Sequence, residues 1–249
     1  MKIKKIKKEK EKYKIELENK EIITTYDAVI LKNNILYKKE LTKEDIKKIE
    51  QENKYYESYN TVLKYSSKRI RSEYEIKKYM KKQNIENQNE ILKKLKEENI
   101  INDKNYTKAY IHDKIYLSQE GPEKIKKELI KQDIDENTIN EELETIDQNE
   151  ILKKLEKQIT KKILNKKESE KKLKQKIINN FIELGYEKQD IIEIFEAKYK
   201  KNNEIIKNEY TKIYNKLKEK YEGEQLNFRI KQKLYQKGFT IEEINEIIN

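Results

Sequence analysis

The sequence predicts a mainly α-helical protein, an elongated, curved array of four three-helix repeats preceded by a small, mostly β domain at the N-terminus. Three observations carry this expectation. One apolar spacing recurs four times in the stretch from Ile76 to Phe239, which is the mark of a tandem array. All four glycines and the one proline fall at the edges of those recurring segments, where helix starts and stops need them. Two-residue alternation with β-branched runs is confined to the stretch before Thr42, so strands belong there and helices after it.

Residues 2–8 and 12–18, KIKKIKK and KYKIELE, alternate apolar and polar positions at Ile3, Tyr13, Ile15 and Leu17 around a charged turn and predict a hairpin. EIITTY at 21–26 is rich in β-branched residues and predicts a strand, and ILYKKEL at 35–41 predicts a last short one. Thr42 opens TKED, the pattern of an N-terminal helix cap, and helical periodicity runs from there to the end.

The recurring spacing is Ile76, Met80, Ile85 in the first repeat, Ile125, Leu129, Ile134 in the second and Ile230, Leu234, Phe239 in the fourth. In the third, Leu173 and Ile177 are followed by Tyr186, four positions late; four residues are about one helical turn, so the helix lengthens without rotating its buried face. Each copy is preceded by a helical segment, tyrosine-bearing in three of the four, and followed by a shorter apolar one, so the unit is three helices. Gly121, Pro122 and Gly223 stand just before second helices, Gly185 and Gly238 just after them. The expected division is 1–48 for the β domain, then repeats at 49–100, 101–147, 148–201 and 202–249. Trios this small bury too little surface alone and are expected to stack on one another, offering a long surface without a deep pocket.

Composition narrows the function. The chain of 249 residues has no cysteine and one histidine, which rules out disulfides, thiol catalysis and cysteine zinc sites. His112 has no second histidine or compact carboxylate group to make a metal site, so no metal and no cofactor are expected. No signal-peptide core and no long uncharged apolar window occur, so the expectation is a soluble cytoplasmic protein with no membrane partner. Phosphate loops, nucleophile elbows, zincin helices and EF-hand loops are all missing, which speaks against an enzyme.

The net charge of +11 is unevenly spread. Residues 1–48 carry 15 basic and 9 acidic side chains, 49–147 carry 19 and 21, and 148–249 carry 24 and 17. Two stripes, 64–82 and 161–176, each hold eight basic and two acidic side chains. In the second, Lys161, Lys162, Lys166, Lys167, Lys171, Lys172, Lys174 and Lys176 read either as a solvated face or as a contact to nucleic acid or a partner.

The first stripe contains SKRIRSEYEIKKYM, with two of the chain's three arginines. Ser72 and Glu75 form the S-x-x-E pattern of a capping box, and Arg69 and Arg71 stand just before it. A guanidinium is a planar fork that grips carboxylate or phosphate through two bonds, as lysine cannot. Two readings stay open: the arginines bind carboxylates of their own molecule and fix the angle between helices, or they reach phosphate or an acidic partner beside the helix-start amides. Tyr106, Ala109 and Tyr110 have the spacing of one buried helix face, and Gly121 and Pro122 read as architectural.

SSKRIRSEYEIKKYMKK resembles the first-repeat motif of the RecX family, R-x-R-S-x-x-E after a tyrosine-bearing helix. INDKNYTKAYIHDKIYLSQEGPEKIKKEL is similar to the second-repeat pattern of acidic cap, aromatic, small residue, aromatic, then G-P and a basic helix, and KLKQKIINNFIELGY and GEQLNFRIKQKLYQKGFTIEEI resemble the third and fourth repeats. The family's arginines after the G-P turn are replaced here by Lys124, Lys126 and Lys127. The resemblance implies a regulator that binds the RecA recombinase filament on single-stranded DNA, lies in its groove and restrains or remodels it, modulating recombination, DNA repair and the SOS response. A monomer that touches bare single-stranded DNA weakly or through the filament is expected; the alternative is a stand-alone nucleic-acid-binding protein. Candidate contacts are Arg69, Arg71, Lys68, Lys77, Lys78 and Lys81 in the first repeat. Lys124, Lys126 and Lys127 are added in the second, Lys166, Lys167, Lys171 and Lys172 in the third, and Arg229 and Lys231 in the fourth.

Overall fold

The computed structural model describes residues 1–165 and 168–248. They hold three strands and thirteen α-helices in two compact units, Met1–Tyr106 and Thr107–Asn249.

In the first unit, β1 (Ile3–Glu9), β2 (Lys12–Leu17) and β3 (Ile22–Tyr26) form an antiparallel sheet in that order. Ile6 lies opposite Ile15, and Ile15 opposite Ile23, so alternation sends one face inward. Two features depart from the sequence expectation. Asp27–Lys32 is a helix, α1, whose Val29 and Ile30 are buried; its apolar run is too short for helical periodicity to show. Ile35–Tyr37 is a 3-10 turn where a strand was expected, and the segment pairs with the N-terminal end of the sheet as an isolated Lys2–Glu40 bridge. Asn34 enters the left-handed region at φ 50°, which ends any extended run, and Ile35 drops into the core while Tyr37 stays exposed.

α2 (Lys43–Ser66) reaches β3 through Asn53, which donates to the Thr24 carbonyl at 2.8 Å, satisfying one backbone acceptor of the strand, and accepts from the Thr25 hydroxyl at 2.7 Å. Thr42 caps α2 in a full capping box with Asp45. The border expected between residues 48 and 49 falls inside this helix. Ile49 belongs to the sheet core with Ile15, Leu17 and Leu41; Tyr59 and Val62, further along, pack with α3 (Glu73–Lys82) and α4 (Gln88–Glu97) around Ile76, Met80 and Leu95.

The remaining trios are α5 (Asp103–Leu117), α6 (Pro122–Ile130) and α7 (Glu136–Glu144); α8 (Gln148–Leu164), α9 (Glu170–Glu183) and α10 (Lys188–Lys198); and α11 (Glu204–Leu217), α12 (Gly223–Gln236) and α13 (Ile241–Ile248). All of the apolar residues that define the repeat are buried. Each second helix also ends in the same way. Asn84, Asp133, Gly185 and Gly238 take left-handed φ of 51°, 57°, 87° and 90°, and the next amide (Ile85, Ile134, Tyr186, Phe239) bonds the carbonyl of Met80, Leu129, Phe181 or Leu234. This closure satisfies the free carbonyls of the last turn. In the third repeat the partner is Phe181, one turn past Ile177, which locates the extra turn in α9.

In the second unit the second helices meet end to end. The Gly121 amide at the start of α6 donates to the Leu184 carbonyl at the end of α9, and the Glu123 amide donates to the Gly185 carbonyl. Likewise Ser169 Oγ at the start of α9 donates to the Lys237 carbonyl at the end of α12. A positive helix start thus meets a negative helix end, and a Cβ on Gly121 would stand 2.5 Å from the Gly185 carbonyl oxygen. Among the described residues no helix is long and apolar enough to cross a membrane.

Candidate functional site

The arginine corner is built by the end of α2, the start of α3 and the loop between them. Ser72 caps α3 by accepting from the Glu75 amide. The Glu75 carboxylate, which the expected capping box would turn back to Ser72, is instead gripped by both terminal nitrogens of Arg69, at 3.0 and 2.5 Å; this pairing holds the Arg69 pKa above its ordinary value. Arg71 bonds the Tyr65 carbonyl through Nε at 3.0 Å and lies 3.6 Å over the Tyr65 ring, whose other neighbour is Tyr79, stacked with centroids 3.8 Å apart. Arg69 therefore ties the interhelix loop to the second helix of the repeat, Arg71 ties it to the first, and the Tyr65–Tyr79 stack joins the two helices directly. This fits the intramolecular reading of the arginines, and it rests on Tyr65 and Tyr79, which no spacing rule connects to Arg71.

Glu73 collects Lys77 at 2.8 Å and Lys96 at 2.5 Å. Its partial burial opposes ionisation, but the two lysines outweigh that and hold the carboxyl below the usual range. Asp103 accepts from the Glu73 amide at 2.8 Å, and burial raises its pKa. Lys68, Lys78 and Lys81 are exposed and make no ion pair among the described residues.

On α6, Lys124 pairs with Glu120 at 2.9 Å and Lys126 with Glu136 at 2.7 Å; Lys127 is exposed and unpaired among the described residues. Behind them Lys114 bridges Glu120 and Glu128. Burial pulls against its charge, yet the two carboxylates raise its pKa. Tyr110 is half-buried and donates to Glu128 at 2.6 Å, and burial together with that carboxylate pushes its pKa up to about 12. Tyr106 is buried. His112 is exposed on α5 beside the Tyr116 ring.

In the third repeat Lys171 is exposed and unpaired among the described residues, Lys172 donates to the Gln236 carbonyl at 2.9 Å, and Lys166 and Lys167 lie outside the described residues. Lys174 and Lys176 are taken by Glu196 and Glu168. In the fourth, Arg229 stands 5.7 Å from the Tyr221 ring and bonds Gln232, while Lys231 reaches Asn245. The candidate cations thus fall into separate groups, and several have intramolecular partners. The sequence reading missed the exposed Phe228 and Tyr235. They lie seven residues apart on one face of α12, and their position off the buried Ile230–Leu234 row was the signal that could have found them.

The second stripe folds into an open cleft of about 490 Å³ lined by Gln119, Gln158, Lys161, Lys162, Asn165, Glu168, Leu173, Lys176 and Ile177. Among the described residues no group of three His, Asp or Glu is placed to hold a metal.

Residues 102–143 match the family model described as RecX, second three-helix domain. The regulatory protein RecX of Streptococcus agalactiae serotype III is 32% identical over 261 residues, covering 100% of this chain and 98% of that one. The regulatory protein RecX of Oceanobacillus iheyensis is 27% identical over 256 residues, covering 98% and 94%. A crystal structure of regulatory protein RecX shares the fold, with a TM-score of 0.69 over 79% of this chain and 100% of that one at 24% identity. That of RecX from Lactobacillus salivarius matches with a TM-score of 0.53 and 26% identity over 58% of this chain and 96% of that one. With a full-length relative at 32% identity and this order of helices, the chain belongs to the RecX family of regulatory proteins.

Proposed function

We propose that this protein binds the RecA recombinase filament on single-stranded DNA and inhibits or remodels it, modulating recombination, DNA repair and the SOS response. It acts in the cytoplasm, as a monomer, by binding and without catalysis. The full-length relationship to regulatory RecX proteins is the observation that carries this reading. The unpaired Lys68, Lys78, Lys81, Lys127 and Lys171 support it, since cations without carboxylate partners remain available to phosphate or to an acidic surface. The four repeats, divided near residues 100, 147 and 201, would supply the contacts in series.

Titration of the protein into RecA assembled on single-stranded DNA tests the reading. ATP hydrolysis or strand exchange is expected to slow at concentrations where the protein barely occupies bare DNA; full activity at saturating dose refutes the proposal. The same unpaired cations favour a second reading, a stand-alone nucleic-acid-binding protein. It requires tight binding to bare single strands whose affinity falls steeply with salt, without any effect of RecA.

A further inference from the structure

The cleft between α8 and α9 brings together three kinds of side chain that suit one ligand. Lys161 and Lys162 stand on its rim in the last turn of α8 and make no ion pair among the described residues. Its floor includes the buried Leu173 and Ile177. Gln119, Gln158 and Asn165 supply three carboxamides. Gln158 is held by the Tyr186 hydroxyl and Asn165 by the Lys161 carbonyl, whereas Gln119 has no hydrogen bond among the described residues.

Each element has a physical match. A carboxamide offers donors and an acceptor in one plane, as a base edge does. An apolar floor suits the face of a heterocycle, and lysines at the rim suit its phosphates. A volume of about 490 Å³ is within the range of small-ligand sites, roughly 300–1,000 Å³. Glu168, the one carboxylate lining the cleft, is paired with Lys176, which leaves Lys161 and Lys162 without a carboxylate partner there. The lysines also complement the negative end of α8, a role compatible with contact to phosphate.

We propose that this cleft seats one unstacked nucleotide of a single DNA strand, with its phosphates on Lys161 and Lys162 and its base edge on Gln119. The inference rests on the reading that the protein works on single-stranded DNA. Fluorescence anisotropy with a labelled oligothymidylate tests it on the full chain. Replacing Lys161→Ala and Lys162→Ala together should raise Kd on the order of tenfold near 0.1 M salt and flatten the salt slope by about 1.4, close to 0.7 per phosphate contact. Arginine at both positions, which keeps the charge, should restore binding. Gln119→Ala should weaken binding severalfold with the salt slope unchanged, because a base contact releases no counterion. Wild-type affinity in both the alanine pair and Gln119→Ala overturns the assignment. So does free dAMP that displaces the strand at the strand's own Kd, which would mark a mononucleotide site. Inhibition of RecA ATP hydrolysis is measured on the same preparations. Its absence in the wild type refutes the filament reading alone, and unchanged oligonucleotide affinity in the variants refutes the cleft alone.

Discussion

The Gly121 amide, at the start of one repeat's second helix, donates at 2.6 Å to the carbonyl of Leu184, at the end of the next repeat's second helix. The free amides of one helix start and the free carbonyls of another helix end satisfy each other, so neither needs a side-chain cap. Only glycine allows that approach: a Cβ on Gly185 would stand 2.3 Å from the Lys124 amide nitrogen.

Gly185→Ala should therefore destabilise the protein by about 2–4 kcal/mol, combining left-handed strain with a backbone clash. Gly223 also has a left-handed φ, 54°, but nothing lies within 4 Å of its added Cβ, so Gly223→Ala should cost only about 1 kcal/mol. Urea unfolding of the two variants checks the order; equal losses would mean that close approach contributes nothing.

Asn84 and Asp133 occupy the left-handed position that glycine fills in the third and fourth repeats. Asn84→Gly and Asp133→Gly should each stabilise by about 0.5–1 kcal/mol, since glycine carries no Cβ penalty there. A raised urea midpoint at unchanged slope is the expected readout.

Arg71→Lys keeps the charge but removes the planar stack on Tyr65 and the Nε bond to its carbonyl. A loss of about 1 kcal/mol is expected, with helical content unchanged by circular dichroism. For Arg69 and Glu75, a double-mutant cycle should give a coupling under about 1 kcal/mol, because the Arg69 side chain is 53% exposed and water screens the pair. If Arg69→Lys and Arg71→Lys together left stability untouched and weakened only filament binding, the arginines would act on the partner and not within the chain.

Lys154 of α8 donates to the Glu120 carbonyl at 2.9 Å, and burial pulls its pKa down to about 8 against a weaker opposing pull from Glu120. The unfolded chain keeps this proton up to the ordinary lysine value, so between those two pH values it binds more protons than the folded one. Stability from this residue therefore rises with pH from about 8 towards 10.5. Below pH 8 the cost of the half-buried charge is fully present. Measured against Lys154→Met, the wild type should gain stability across that window. Curves that stay parallel would show that Lys154 titrates as an exposed lysine.

Much of the fold was legible because burial on a helix is a local pattern. Ile76 with Met80 and Ile125 with Leu129 repeat at one turn's spacing, and Gly185 and Gly238 mark the ends where left-handed backbone is needed. The short elements were not legible. α1 has too few residues to display a period, and Ile35 is apolar for the sake of a core that its own neighbours do not reveal.

The sequence by itself determined the repeat, its helix ends, the buried row and the places where cations concentrate, since each depends on residues within about a turn of one another. Tertiary structure alone decided which cations are free. Glu75 takes Arg69, Tyr65 takes Arg71, Glu136 takes Lys126, and Lys161 and Lys162, the latter 5.8 Å from the Phe181 ring, are left without a carboxylate among the described residues at a cleft with Gln119 from another trio. Those partners are chosen by packing between helices, and electrostatic energy depends on separation in space, which spacing along the chain does not specify.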